Sequence, residues 1–245
     1  MYTLLLATLL LQPIWALPPP PSEQGLQVKL RANLENYTVA AETFPQALTK
    51  VAAQFEIPMG IEWIRTSATQ REIRRSWRHT TVYGVVESLV KSQSGYDFAI
   101  ANGVIHVFPK GALMDRSSFL NHRINKFEAK NEFAGVLSYR LRELLKRTIS
   151  PPLPSSPALG TAGSIATGAG DRRITFRLVN ASVRQILDKL SLATDFRIWI
   201  VTYPEDRTLT ETGFRRVASL YTSSSVADNE QPVWAFLRWG DALPK

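Results

Sequence analysis

The sequence predicts an α+β protein of two small domains, each a pair of strand–helix–strand units with short mixed sheets and two helices. Three observations carry this expectation. The first is a repeat: "NASVRQILDKLSLATDFRIWI", from Asn180 to Ile200, restates the pattern of "HTTVYGVVESLVKSQSGYDFAI", from His79 to Ile100, with few shared residues. The second is helical spacing. With Ser182 set against Thr81, Val183, Ile186, Leu187 and Leu190 match Val82, Val85, Val86 and Leu89, an i, i+3, i+4, i+7 stripe in both. The third is the extended run on either side of each stripe, "RRSWRHT" and "RITFRLVN" before, "YDFAI" and "FRIWIV" after.

Two further copies complete the pattern. "NYTVAAETFPQALTKVAAQFEIPMGIEWI" carries Phe44, Ala47, Leu48, Val51, Ala52 and Phe55 on one helical stripe. Thr43 and Gln46 have the spacing of a capping box, as Ser182 and Gln185 do, and Pro45 falls in the first turn, where its missing N–H is harmless. A looser copy, "NHRINKFEAKNEFAGVLSYRLRELLKRT", places Phe133, Val136, Leu137, Leu141, Leu144 and Leu145 at helical spacing.

These units pair into a first domain at 26–110 and a second at 118–204. The first closes on the hairpin "YDFAIANGVIHVFP", whose Asn102-Gly103 suits a tight primed turn. Pairing across it puts Phe98, Ile100, Ile105 and Val107 on a core face, and Ala99, Ala101, Val104 and His106 on a milder face expected to meet solvent. The second domain is interrupted at 150–170 by a Pro-rich, then Gly/Ala/Ser-rich tract, whose composition predicts a mobile loop or, alternatively, an interdomain linker. Residues 205–245 suggest two further strands around a Ser-rich loop, with Trp234, Phe236 and Trp239 as edge packing.

The amino terminus sets the expected compartment. Leu4 to Leu11 is an apolar run too short to span a bilayer but suited to a secretory signal, expected at residues 1–16 with cleavage after Ala16. A Pro-rich linker is expected at 17–25. No other window supplies the ~20 apolar residues of a spanning helix. The chain contains no cysteine, which excludes disulfides, thiol catalysis and Cys-ligated zinc. A formal net charge of +8 favours acidic partners, and for an exported chain these are anionic lipid, wall polymer or acidic protein faces rather than nucleic acid.

The apolar spacing of "ETFPQALTKVAAQFEIPMGIEW", followed by a second strand and then "TTVYGVVESLVKSQSGYDFAIANGVIHVFP", resembles the secretin and TonB N-terminus short domain. The likeness covers about Val28 to Pro109, and the second repeat looks like a diverged relative of the same or a neighbouring secretin periplasmic domain. The resemblance implies a small α+β domain with two helices and two short sheets, acting as a protein-contact module in the envelope of a diderm bacterium. In that family it sits at the periplasmic mouth of secretin rings or ahead of TonB-dependent receptors. Neither a pore-forming region nor a long β-barrel is read after it here, so the expectation is a free-standing periplasmic module, accessory to a secretin-like or TonB-system component.

Chemistry is sparse. His79, His106 and His122 lie far from one another along the chain, and none forms a helical metal pair; all three read as ordinary surface or half-buried histidines. "GTAGSIATGAG" lacks the Lys-Ser/Thr of a phosphate loop, and Glu205–Asp206 is not a recognisable acid/base pair. No catalytic residue, cofactor site or metal site is expected, and the chain is read as non-enzymatic. One cluster stands out. Arg71, Arg74, Arg75 and Arg78 crowd one strand-like run, and guanidinium groups grip phosphates and carboxylates bidentately. They are the expected contact for an anionic partner; the bland alternative is a strand edge guarded by charge. Asn36 and Asn180 also fit the N-glycosylation pattern.

Overall fold

The computed structural model describes residues 21–66, 68–116, 118–148, 173–193, 197–203 and 233–237. Helix α1 (Pro21–Leu30) leads into β1 (Asn33–Ala41), α2 (Phe44–Gln54) and β2 (Met59–Ile64). Strand β3 (Ile73–Thr81) then runs directly into α3 (Val82–Lys91) and the hairpin of β4 (Tyr96–Ala101) and β5 (Val104–Pro109). A short 3-10 turn at Phe119–Asn121 opens the second half: β6 (Arg123–Glu132), α4 (Ala134–Thr148), β7 (Ile174–Ser182), α5 (Val183–Ala193), β8 (Ile198–Tyr203) and β9 (Val233–Leu237). The molecule is the α+β protein that its sequence predicts, with short mixed sheets.

The repeat is visible down to single backbone angles. β1 pairs antiparallel with β3, and β6 with β7, each forming a two-stranded ribbon that feeds a helix. In both ribbons the third residue before the helix is left-handed, His79 at φ 48° and Asn180 at φ 49°. His and Asn are among the non-glycine residues that tolerate this region best. The first helical N–H is then satisfied from the partner strand's entry, Val82 N donating to Ala32 O at 3.2 Å and Val183 N to His122 O at 3.0 Å. Aligning Thr81 with Ser182 therefore aligns structure as well as pattern.

Caps start the helices where expected. Ser182 and Gln185 form the reciprocal box: Gln185 N donates to Ser182 Oγ at 3.2 Å, and Ser182 N to Gln185 Oε1 at 2.9 Å. At α2 the box is displaced by one residue, because Gln46 Oε1 accepts from Glu42 N while Thr43 Oγ1 accepts from Gln46 N. The stripes of α2, α3 and α5 are buried as read, with Phe55 half-buried. On α4, Leu137, Leu141 and Leu145 are buried, but Val136 is 52% exposed; it lies one position outside the a/d-like seam the other three define.

What the repeat does not announce is how its halves meet. One five-stranded sheet, in the order β4-β5-β2-β8-β9, takes strands from both; β2 is parallel to β5 on one side and to β8 on the other. Every residue of β2, β5 and β8 is buried, as in a sheet covered on both faces. Alternation assigns the two faces. Met59, Ile61, Trp63, Ile105, Val107, Ile198 and Ile200 join α1, α2 and α3 in one core. Ile64, Trp199, Val201 and Tyr203 join α4, α5 and the β6–β7 ribbon in another.

Two expectations are corrected by this arrangement. The hairpin register is the predicted one, Phe98 opposite Val107 and Ile100 opposite Ile105, but only part of its milder face meets solvent: Ala101 is exposed, whereas Val104 and His106 are buried, His106 against Trp199 and Asp188 of the second half. The linker expected over 17–25 is helical from Pro21, since Leu26 and Leu30 of α1 bury into the first core and repay ordering the segment. The expected loop at 150–170, the signal region at 1–16, Glu205–Asp206 and Trp239 lie outside the described residues. Of the expected C-terminal strands, β9 pairs antiparallel with β8 at the sheet edge.

Gly60 makes the seam possible. It is the register partner of both His106 and Trp199, and a Cβ there would lie 2.2 Å from the Trp199 ring. Replacing it should act as overpacking, at a cost of about 1–3 kcal/mol. Thermal unfolding of Gly60→Ala is expected to show a fall in Tm of roughly 3–10 °C. Combining it with Trp199→Phe should lose less than the sum of the single losses, because the smaller ring vacates the clash.

Candidate functional site

Two places gather polar chemistry: the arginine strand and the seam between the halves. On β3 the residues alternate as its pairing with β1 requires. Trp77 turns inward and stacks on Tyr37, ring centroids 6.0 Å apart, and burial pushes the Tyr37 phenol pKa up. Arg74 and Arg78 share the outer face with Ser76, whose hydroxyl meets Thr38 Oγ1 at 2.8 Å. Arg75 points the other way and reaches the last turn of α3, with Nη1 3.5 Å from Ser88 O, where a cation suits the helix dipole. Arg71 lies in the loop ahead of the strand. All four are exposed, and none has a carboxylate partner among the described residues.

The seam is the more structured site, and sequence reading passed over it. Arg184 and Asp188, four apart on α5, face the sheet beside its apolar stripe. Opposite them, β2 presents Glu62, β5 presents His106, and β8 presents Trp199 and Tyr203. Glu62 is held by two donors from the other half, and Asp188 by one donor from its own half and one from the other. Arg184 Nη1 donates to Glu62 Oε1 at 2.5 Å, and Tyr203 Oη to Glu62 Oε2 at 3.3 Å. Asp188 accepts from Trp199 Nε1 at 2.9 Å and from Asn102 Nδ2, at the tip of the first half's hairpin, at 3.1 Å. His106 Nε2 stands 3.4 Å from Asp188 Oδ2, and its ring lies 5.8 Å from the indole, the absent side chain at Gly60 leaving them room.

A cleft of about 310 Å³ opens onto this cluster, bordered by Asn102, His106, Asn121, Arg123, Arg184 and Gln185. Among the described residues neither ring nitrogen of His106 has a hydrogen-bond partner, and the same holds for Nε and Nη2 of Arg184, though all four atoms are buried. Of the three histidines, His79 is exposed, His122 is half-buried and His106 is 2% exposed, so the expectation of a surface or half-buried His106 is corrected. Among the described residues no cluster of three or more His, Asp or Glu could hold a metal ion, and no helix is long and apolar enough to cross a membrane.

The signals that would have found the seam are specific. A lone carboxylate in the otherwise apolar "MGIEWI" demands a buried cation or donor, and Arg184, Asp188 and Ser191 recur at i, i+4, i+7 next to an apolar stripe. No protein-family model matches the chain, nor does any curated protein or any solved structure.

Breaking the buried pair should be expensive and asymmetric. Arg184→Met alone strands the Glu62 carboxylate and is expected to cost about 3–5 kcal/mol in urea unfolding. The double variant Glu62→Gln, Arg184→Met should recover more than half of that loss, since neither remaining group carries a buried charge.

Proposed function

We propose that this chain is an exported, non-enzymatic module of the bacterial envelope, periplasmic or peripheral to the outer membrane, which makes protein contacts as an accessory to a secretin or TonB-dependent system. The observation that carries this reading is the element order over Asn33–Pro109. A strand, helix and strand are followed by a strand, helix and hairpin, with one two-stranded ribbon beside a larger sheet; the sequence likeness to the secretin and TonB N-terminus short domain implies a small α+β domain with two helices and two short sheets, and this order supports that reading. The β1–β3 ribbon supports it further. Among the described residues its two strands pair only with each other, so each keeps an outer edge on which an extended partner segment can add by main-chain hydrogen bonds. The sequence supports export through its apolar leader.

A second reading has its own observation. Arg71, Arg74, Arg75 and Arg78 are exposed cations without carboxylate partners among the described residues, on a chain of net charge +8. Such a strand suits an anionic lipid surface or wall polymer, with affinity that falls as salt rises.

Photo-crosslinking from Thr38, an exposed residue of β1, in an envelope fraction tests the first reading. A secretin-like or TonB-system component is the expected adduct, and recovery of the chain in the cytosol with its leader intact would end the proposal. For the second reading, Arg71, Arg74, Arg75 and Arg78 are replaced together by Gln and sedimented with anionic liposomes or with wall polymer. Retention at least tenfold weaker than wild type is expected; equal retention discards the arginine strand as a binding surface.

A further inference from the structure

We infer that Asn102, at the tip of the β4–β5 hairpin, is a deamidation site, and that its conversion to aspartate unlatches the two halves of the molecule. Asparagine is among the chemically labile side chains, and here it precedes Gly103, whose missing Cβ leaves the attacking peptide nitrogen unshielded. That nitrogen attacks Cγ of Asn102. An N–Cγ bond forms, the Cγ–Nδ2 bond breaks, and Nδ2 leaves as ammonia with the proton that the peptide nitrogen gives up. The product is a five-membered cyclic imide. One water molecule then opens it at either carbonyl, giving aspartate or isoaspartate.

The structure shows what the new carboxylate would face. Asn102 Nδ2 donates to Asp188 Oδ2 at 3.1 Å, across the seam from the hairpin to α5. Asp188 is 1% exposed, and its other oxygen accepts from Trp199 Nε1 at 2.9 Å. Aspartate at 102 removes that donor and sets a second negative charge against a buried one, an arrangement that two carboxylates resist. The isoaspartate product also adds a methylene to the main chain of the turn, which breaks the two-residue loop that fixes the hairpin register.

The same geometry gates the reaction. Asn102 is exposed and borders the seam cleft, so the water that opens the imide reaches it. Gly103, in contrast, is buried. Both residues hold the left-handed angles of a primed turn, φ 55° and 76°, and the side-chain amide is tethered to Asp188. Nitrogen and carbon meet once the hairpin tip lifts from α5, and the modified tip then fails to dock again. Deamidation therefore records an opening of the seam and makes it one-way.

The test incubates the full chain in mildly alkaline buffer, folded and in urea, and follows the peptide carrying Asn102 by mass spectrometry. Conversion in the folded chain should be slower than in urea by roughly ten- to a hundredfold, as local opening requires. The converted fraction should melt about 5–10 °C below the rest. Asn102→Asp is expected to show the same loss. Asp188→Asn puts an amide on the other side of the seam, so the double variant Asn102→Asp, Asp188→Asn should regain more than half of it. That rescue separates a latch from a defect of the turn alone. Should Asn102→Asp not fold, the double variant decides: its folding supports the latch, and its failure to fold refutes it. Equal conversion rates in the two states overturn the proposal, as does an Asn102 that stays intact in the folded chain over a time about a hundredfold longer than the reaction takes in urea. So does an Asn102→Asp chain that melts with the wild type, or one whose loss Asp188→Asn restores by less than half.

Discussion

The structure depends on one strand that is dry on both sides. β2 is flanked by parallel neighbours from different halves of the chain, and its six residues alternate between two faces, each backed by its own core. A strand in that position must satisfy two demands at once. Each face must be apolar enough to justify burial, at about 25 cal/mol per Å² of surface removed from water. Any polar group that remains must be met by a donor or acceptor from the opposing layer. Met59, Ile61 and Trp63 meet the first demand on one face. Gly60, Glu62 and Ile64 meet both on the other, Gly60 by yielding its volume to the Trp199 indole and Glu62 by accepting from Arg184 and Tyr203.

The two ribbons are the second consequence of the repeat. A two-stranded sheet is marginal by itself and needs a helix or a second layer to pack against. Each ribbon obtains this by running straight into its helix through a left-handed residue, His79 or Asn180, which bends the chain so that the next stripe falls back on the core. The stripes beginning at Val82 and Val183 can therefore share so few residues and still build the same shape. What is preserved is the left-handed residue two places before a hydroxyl cap and the i, i+3, i+4, i+7 spacing after it.

This division explains how much was legible in the sequence. The stripes of α2, α3 and α5, the Ser182–Gln185 cap, the primed Asn102-Gly103 turn and the hairpin register are local: each is set by residues within a turn or two of one another, and each stands as read, whereas the α2 box is displaced by one residue. The seam is not local. Whether the Ala99–His106 face is wet or dry depends on α5 and β8, which periodicity within the hairpin cannot register. Val136 fits the broad helical stripe of the fourth copy, whereas among the described residues α4 buries the narrower seam of Leu137, Leu141 and Leu145. Arg184 and Asp188 escaped notice because they look like solvated positions flanking an apolar row. Only their coincidence with the lone carboxylate of β2 marks them as partners.

Buried charges at such a seam are a poor means of gaining stability, since desolvation offsets most of the attraction and well-packed apolar groups do as well or better. Their effect here is on which docking is allowed. A slip of β8 by one residue along β2 would turn Trp199 and Tyr203 into the first core and bring Ile198 and Ile200 to the second. Asp188 would then lose the indole donor, Glu62 would lose the phenol, and the Trp199 ring would leave the space above Gly60. Apolar contacts alone would tolerate that slip better, because both faces of β8 are hydrophobic. The polar pairs make every register but one leave a carboxylate short of its donors, and so they fix the two halves of the repeat, back to back, in a single alignment.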